Sequence, residues 1–288
     1  MAITKPSLLP ELYLPSRVNQ HWLESGIDSL ELCANREHFL SYPHKVEYHY
    51  NSRGFRDAEW PDDLSDVIWC VGDSFTVGLG SPLEHTWPYM LQQRLRRRVI
   101  NVSMDGASNN WIARIAVAIL TQFPQANIVV QWSYMHRREL TSPREVDISI
   151  VLNERFLNFY KSVRDVSWPD CKSIQDFDNL PDWIKIEIKQ IHDWASTKLP
   201  SEDLRLTHIN STTEEDIVNT RLCMQQLQGN IVHSAIPLWA AAGTKLDFDN
   251  VIQTEQLDYA RDGFHYDILT SNALVCEIIP ALASNARC

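Results

Sequence analysis

Short, mostly apolar segments alternate with amphipathic helical segments in the middle of the chain, and this alternation restricts the fold more than any other feature. The apolar segments lie at residues 67–71, 99–102 and 128–130. Between them, apolar residues recur every three or four positions over residues 87–95 and 111–123. Uniformly apolar strands joined by helices are typical of a parallel sheet covered on both faces and connected by right-handed crossovers.

The rest of the chain extends this pattern at its C-terminal side and departs from it in two regions. A fourth strand is predicted at residues 231–236 and a last helix at about 267–279. We therefore predict a doubly wound α/β domain over residues 63–288, interrupted by a helical insertion at about 140–210. Residues 1–62 are rich in Pro, Tyr, His and charge, and we expect them to form an irregular N-terminal extension packed on the core.

Composition excludes several classes of protein. The 288 residues include 26 Lys plus Arg and 37 Asp plus Glu, and the net charge of −11 disfavours a nucleic-acid partner. No apolar run approaches the roughly 18 to 20 residues that a membrane span needs, and the N-terminus lacks the pattern of a signal peptide. We expect a cytoplasmic protein without a membrane partner. The 6 cysteines form no C-x-x-C pair, so neither a zinc site nor a disulfide framework is predicted.

Polar segments follow the predicted strands directly, where ligands bind in open parallel sheets. Ser74 follows the first strand, Gly106 the second and Ser133 the third, while Asp262 and His265 precede the last helix. A serine hydroxyl becomes a nucleophile when an imidazole removes its proton and a carboxylate holds that imidazole in one tautomer. The spacing of three between Asp262 and His265 allows both side chains to lie on one side of a tight loop. Backbone N–H groups of Ser74 and Gly106 are candidate donors to an oxyanion.

At these residues the sequence resembles the SGNH or GDSL hydrolase family of esterases and lipases. The family's first block is similar to residues 72–80, its second to residues 101–106 and its last, D-x-x-H, to residues 262–265. An N-x-x-G-F-R segment, which often precedes the first strand in microbial members, occurs at residues 51–56. The resemblance implies a flavodoxin-like three-layer α/β/α sandwich, a nucleophile at Ser74, a base at His265 oriented by Asp262, and an oxyanion donor at Gly106. It also implies small O-acyl esters as substrates and no cofactor.

The third block departs from the family's G-x-N-D pattern, because residues 131–138 read QWSYMHRR and contain no asparagine. We predict that Ser133 replaces the missing oxyanion donor, with Gln131, Asn109 and His136 as weaker substitutes. Losing one such donor can cost roughly 10²- to 10³-fold in turnover. A slow, specialised or inactive protein therefore stays an alternative.

The sequence thus predicts a carboxylic ester hydrolase that acts on a small-molecule or carbohydrate ester through an acyl-enzyme. An O-acyltransferase with the same triad and a non-catalytic binding module are the alternatives. Arg presents a planar fork of donors that suits a carboxylate or sulfate. The candidate substrate-binding residues are Asp73, Asn109, His136 and Arg137, although a salt-bridged loop is the simpler interpretation of the last two. No metal is predicted, because Asp73, Asp262, His136 and His265 fit no metal site better than they fit a triad.

Overall fold

The computed structural model describes residues 10–25, 28–33, 36–135, 137, 213–237, 248 and 250–285. Within these ranges the chain forms seven strands: β1 (His21–Trp22), β2 (Tyr48–His49), β3 (Ile68–Gly72), β4 (Val99–Ser103), β5 (Asn127–Trp132), β6 (Ile231–Ala235) and β7 (Val251–Ile252). The α-helices there are α1 (Leu30–Cys33), α2 (Glu37–Ser41), α3 (Ser74–Val77), α4 (Trp87–Leu95), α5 (Asn109–Gln122), α6 (Thr213–Gln225) and α7 (Ile268–Asn285).

Five of the strands form one parallel sheet in the order β4-β3-β5-β6-β7. Numbered from the first strand of the sheet, this is the order 2-1-3-4-5 of flavodoxin-like folds. Helix α4 packs on α7, and α5 packs on α6. Because right-handed crossovers that run in opposite directions put their helices on opposite faces, the two helix pairs cover the two faces of the sheet. The predicted three-layer α/β/α architecture with a central parallel sheet is confirmed.

The strands β3 and β4 are buried along their whole length, which explains why most of their residues are apolar. Every residue of β3 and β4 is buried, and the core contains the fully buried side chains of Trp69 and Trp132. The short fifth strand, β7, was not predicted: it has two residues, both half-buried, and so carries no apolar run.

Helix α7 is longer than predicted, because it continues past Pro280 to Asn285. The proline removes one helical hydrogen bond, but Leu282 beyond it is buried in the core, and the Asn285 Nδ2 amide donates to the Ile231 carbonyl (2.9 Å). By length and composition, α7 is the one helix in the described ranges that could cross a membrane. Its buried side chains pack in the protein core, as those of a core helix do.

Part of the N-terminal extension packs on the sheet domain. Leu12, Leu14 and Phe55 belong to the main core cluster, and β1 and β2 pair as a small antiparallel ribbon, called the N-terminal ribbon below. The predicted helical insertion at about 140–210 lies outside the described residues.

The N-x-x-G-F-R segment holds the loop that follows α3. The Asn51 Oδ1 oxygen accepts hydrogen bonds from the N–H groups of Arg53 and Phe55, which forms the turn. The guanidinium of Arg56 is buried and donates to four main-chain oxygens: Val77 O (3.1 Å), Gly78 O (2.5 Å), Ser81 O (2.8 Å) and Glu47 O (2.9 Å). One side chain therefore joins the extension, the ribbon and residues 77–81.

Replacing Arg56 by Met should lower the free energy of unfolding by about 3 to 5 kcal/mol, because buried carbonyls would lose a charged donor. Guanidinium chloride denaturation measures the change. Arg53→Met is the matched control on the same segment. The Arg53 guanidinium is only partly buried and stacks on Trp60 at 5.0 Å, so its loss should cost about 1 kcal/mol or less. Equal losses in the two variants would contradict this account of Arg56.

Candidate active site

A tight turn at the carboxyl end of β3 carries Ser74. Gly72 ends the strand, and a Cβ atom there would lie 2.0 Å from Thr76 Oγ1, so no larger residue fits without a shift. Asp73 caps α3 by accepting from the Phe75 N–H (3.0 Å), and Ser74 is the first helical residue. The strands that follow β3 in sequence, β4 and β5, lie on opposite sides of it, so the strand order reverses at β3. Ligands in such sheets bind beyond the carboxyl ends of the strands at this point, and Ser74 lies there.

The D-x-x-H sequence forms a turn that the carboxylate of Asp262 closes on itself. Its Oδ1 oxygen accepts from the N–H groups of Phe264 (2.9 Å) and His265 (3.0 Å). Its Oδ2 oxygen lies 2.6 Å from Nδ1 of His265. One carboxylate therefore shapes the main chain and orients the imidazole.

Ser74 and His265 meet although they are 191 positions apart in sequence, with Nε2 of His265 2.8 Å from the Ser74 Oγ. The structure thus brings Ser74, His265 and Asp262 into one hydrogen-bonded chain. Because Asp262 accepts at Nδ1, we infer that Nδ1 carries the proton and that Nε2 accepts from the Ser74 hydroxyl. The exposed fractions of Ser74, His265 and Asp262 are 3%, 2% and 1%, so these bonds form nearly without water.

Opposing effects determine the pKa of Asp262. Burial alone would raise it, but the charge and hydrogen bond of His265, together with the N–H groups of Phe264 and His265, hold the pKa of this carboxyl below its usual value. The imidazole itself is enclosed by two aromatic rings, Phe75 at 4.5 Å and Phe264 at 4.9 Å between centroids. Asp262 is therefore an ionised hydrogen-bond acceptor beside a sterically fixed ring.

The main-chain N–H groups of Ser74 and Gly106 are the predicted oxyanion donors. Gly72 pairs with Ser103 across β3 and β4, so Ser74 and Gly106 follow neighbouring strand ends. Gly106 has a φ of +73°, a conformation that favours glycine. Within the part of the chain that the structure describes, neither the N–H of Ser74 nor that of Gly106 donates a hydrogen bond. Both are thus available to a ligand.

The loop after β5 brings Ser133 and Arg137 to Asp73. The buried Ser133 hydroxyl donates to Asp73 Oδ2, and Arg137 Nη1 lies 3.0 Å from Ser133 Oγ and 3.1 Å from Asp73 Oδ2. Burial raises the pKa of Asp73, an effect that the charge of Arg137 and the Ser133 bond oppose. The Ser133 proton is therefore engaged with Asp73, and a role as oxyanion donor requires it to exchange partners.

The other residues considered for the third donor or for substrate binding lie in different surroundings. Asn109 is buried, and its amide accepts from the Ser133 N–H (2.8 Å) and donates to the Ser133 carbonyl (3.2 Å). The Gln131 amide oxygen accepts from Thr76 Oγ1 (2.8 Å) beneath the site. In the structure, Asp73, Asn109 and Gln131 support neighbouring groups of the protein, and contacts of Asp73, Asn109 or Arg137 with substrate stay predictions. His136 lies outside the described residues.

The sequence analysis did not identify three residues whose hydrogen bonds fix the Asp262 turn: Arg261, Asp28 and Arg36. Arg261 donates twice to Asp28, at 2.8 Å for each bond, and its own N–H donates to the Gly80 carbonyl (2.9 Å). Arg36 donates to the Asp262 carbonyl (3.2 Å). In a single sequence, nothing links Asp28 or Arg36 to a turn more than 200 positions away.

Replacing Asp262 by Asn should reduce the free energy of unfolding at pH 7 by about 1 to 3 kcal/mol, because a charged acceptor is lost. The lowered pKa of Asp262 means that its contribution is fully present above the ordinary carboxyl pKa of about 3.9 and is lost as the pH falls through the lower folded-state value. Denaturation at a series of pH values should therefore show wild type and variant converging in acid. The exposed Glu84→Gln control should run parallel to wild type, and a gap for Asp262→Asn that is constant with pH would contradict the assignment.

The sequence matches no known protein-family model and no curated protein. Solved structures with a similar course of the chain include "Crystal Structure of TesA", at 15% identity and a TM-score of 0.31, covering 75% of this chain and 97% of that one. The psychrotrophic esterase EstA from Pseudoalteromonas sp., inhibited by monoethylphosphonate, is 12% identical over 76% of this chain and 97% of its own, with a TM-score of 0.33. A protein described as lipolytic and of the G-D-S-L family, from Desulfitobacterium hafniense DCB-2, is 14% identical over 73% and 98% of the two chains, with a TM-score of 0.27. This chain is thus similar, at low TM-scores, to proteins with esterase and G-D-S-L descriptions.

Proposed function

We propose that this protein is a serine hydrolase of the SGNH or GDSL type that cleaves carboxylic esters through an acyl-enzyme on Ser74. The observation that carries the proposal is the continuous chain from Asp262 through His265 to the Ser74 hydroxyl, with contacts of 2.6 Å and 2.8 Å. A nucleophile, a base within hydrogen-bonding reach and a group that orients the base are the parts that acyl transfer requires.

In the first half of the reaction, the Ser74 oxygen attacks the ester carbonyl while its proton passes to Nε2 of His265. The new C–O bond gives a tetrahedral intermediate, and His265 then delivers the proton to the leaving alkoxide as the ester C–O bond breaks. Asp262 is a positioning residue in both steps, since it stabilises the imidazolium and keeps Nδ1 protonated. The products of this half are the free alcohol and the acylated Ser74.

In the second half of the reaction, water attacks the acyl group and Ser74 is the leaving group. His265 takes a proton from the attacking water, and the second tetrahedral intermediate collapses to release the acid and to return the proton to the Ser74 oxygen. In both halves of the proposed reaction, the N–H groups of Ser74 and Gly106 donate hydrogen bonds to the oxyanion of the tetrahedral intermediate. Their lack of protein partners in the described part of the chain supports this role. No step needs a cofactor.

Ser133 stays our predicted third oxyanion donor, and in this role its hydroxyl proton leaves Asp73 for the oxyanion. A hydroxyl can rotate from one acceptor to another, and Arg137 lies 3.1 Å from Asp73, so it can keep that carboxylate paired when the Ser133 proton leaves. As substrate, we infer a short O-acyl ester, with acetylated carbohydrates as the first compounds to assay. A panel of acetylated sugars and aryl esters of increasing acyl length measures this preference.

A fluorophosphonate probe should label Ser74, because the probe reacts with activated serine hydroxyls. Mass spectrometry of the labelled protein is expected to locate the adduct on Ser74, and both the adduct and p-nitrophenyl acetate hydrolysis should be lost in Ser74→Ala and in His265→Ala. The exposed Ser65→Ala control should keep both. A chain that folds, binds no probe and turns over p-nitrophenyl acetate equally in wild type and Ser74→Ala would be a non-catalytic module instead.

Replacing Ser133 by Ala should lower kcat by about 10²- to 10³-fold while KM changes little, because an oxyanion donor acts in the transition state. Steady-state kinetics measures the effect, and the exposed Ser65→Ala, before the start of β3 and so at the strand end opposite Ser74, is the control expected to keep kcat. If the rate of Ser133→Ala stays within about twofold of wild type, Ser133 only supports Asp73.

A further inference from the structure

The N-terminal ribbon brings three metal-ligating side chains together on its outer face. His21 of β1 lies directly opposite His49 of β2, and Glu47 precedes His49 by two positions. One ligand atom from each of these residues lies within 4.8 Å of the other two. None of the three takes part in the chemistry proposed for Ser74.

Strand alternation explains why these side chains share one face. Residues i and i+2 of a strand point to the same side, so Glu47 and His49 point outward, whereas Val46, Tyr48 and Tyr50 are buried. The inner face is anchored, because the Tyr48 hydroxyl donates to Asp28 (2.5 Å) and accepts from the Gly80 N–H (2.8 Å). The hydrogen bonds of Tyr48 therefore fix the position of the ribbon, and its outer face carries His21, Glu47 and His49.

One ligand-to-ligand distance is close to that of a tetrahedral metal site, and the other distances are at most 4.8 Å. Nε2 of His49 lies 3.5 Å from a carboxylate oxygen of Glu47. Two ligands at the usual zinc distances of about 2.0 to 2.1 Å are separated by about 3.3 Å in tetrahedral geometry. The rings of His21 and His49 are stacked, with centroids 4.0 Å apart and planes 14° from parallel. Because a metal lies in the plane of each imidazole that ligates it, metal binding requires these two exposed rings to rotate out of the stack.

We propose that His21, Glu47 and His49 form a binding site for a divalent transition-metal ion of the zinc type. Two imidazoles and one carboxylate are a donor set that suits Zn²⁺ and neighbouring ions, with water in the remaining position. Lys45 forms an ion pair with Glu47. It competes with the metal for this carboxylate, so Lys45 sets the affinity of the site. Binding links β1 to β2 and stabilises the folded ribbon.

Isothermal titration of the full chain with Zn²⁺ tests the proposal, with the melting temperature as a second readout. Wild type should bind one equivalent that raises its melting temperature. His49→Ala and Glu47→Gln should each weaken this equivalent at least about tenfold, since even changes outside the ligand shell cost about 10- to 100-fold. Lys45→Ala should tighten it, a direction that a merely structural change would not produce.

His44→Ala is the matched control, because this exposed imidazole lies on the same segment and packs edge-on against His85 at 4.7 Å. It should bind Zn²⁺ as wild type does. Circular dichroism identifies any variant that fails to fold, and Glu47→Gln keeps the shape of the side chain. The same affinity in wild type, His49→Ala and Glu47→Gln would overturn the proposal, as would equal weakening in His44→Ala or the absence of zinc binding by wild type.

Discussion

The buried guanidinium of Arg56 is the contact on which the arrangement of the site depends. It replaces the solvation that the carbonyls of residues 77–81 lose on burial, and it does so from a segment that precedes the sheet. A buried charge of this kind is costly unless its donors are satisfied. The main chain provides acceptors for both Nη groups, whereas the buried Nε has no acceptor among the described residues. Residues 78–82, which follow Ser74, are therefore buried although they form a loop. They lie next to the turn that carries His265.

Electrostatics divides the two acidic groups next to the reacting atoms. Asp262 is held ionised by the imidazole and by two N–H groups, and in the proposed reaction its negative charge would favour the imidazolium. In Asp73, burial dominates, and Arg137 and Ser133 offset only part of the cost of its charge. One carboxylate thus orients His265, whereas the other joins the loops that follow β3 and β5.

Much of the fold could be predicted because its signals are local. Most residues of β3 to β6 are apolar, and the Asp262 turn lies within four consecutive residues. The bonds of Arg56 could not be predicted, since backbone carbonyls have no sequence signature, and neither could the pairing of Asp28 with Arg261. The engagement of Ser133 with Asp73 depends on which way a hydroxyl points, a property that spacing does not encode. The length of α7 was underestimated because packing beyond Pro280 outweighs the break that proline favours.

The hydrogen bond from the Arg261 N–H to the Gly80 carbonyl joins the segment after Ser74 to the segment before His265. A main-chain bond sits at the base of both segments, so displacements of one are transmitted to the other. A movement of one segment without the other would break this bond, so the bond favours a constant separation between the Ser74 hydroxyl and the His265 imidazole.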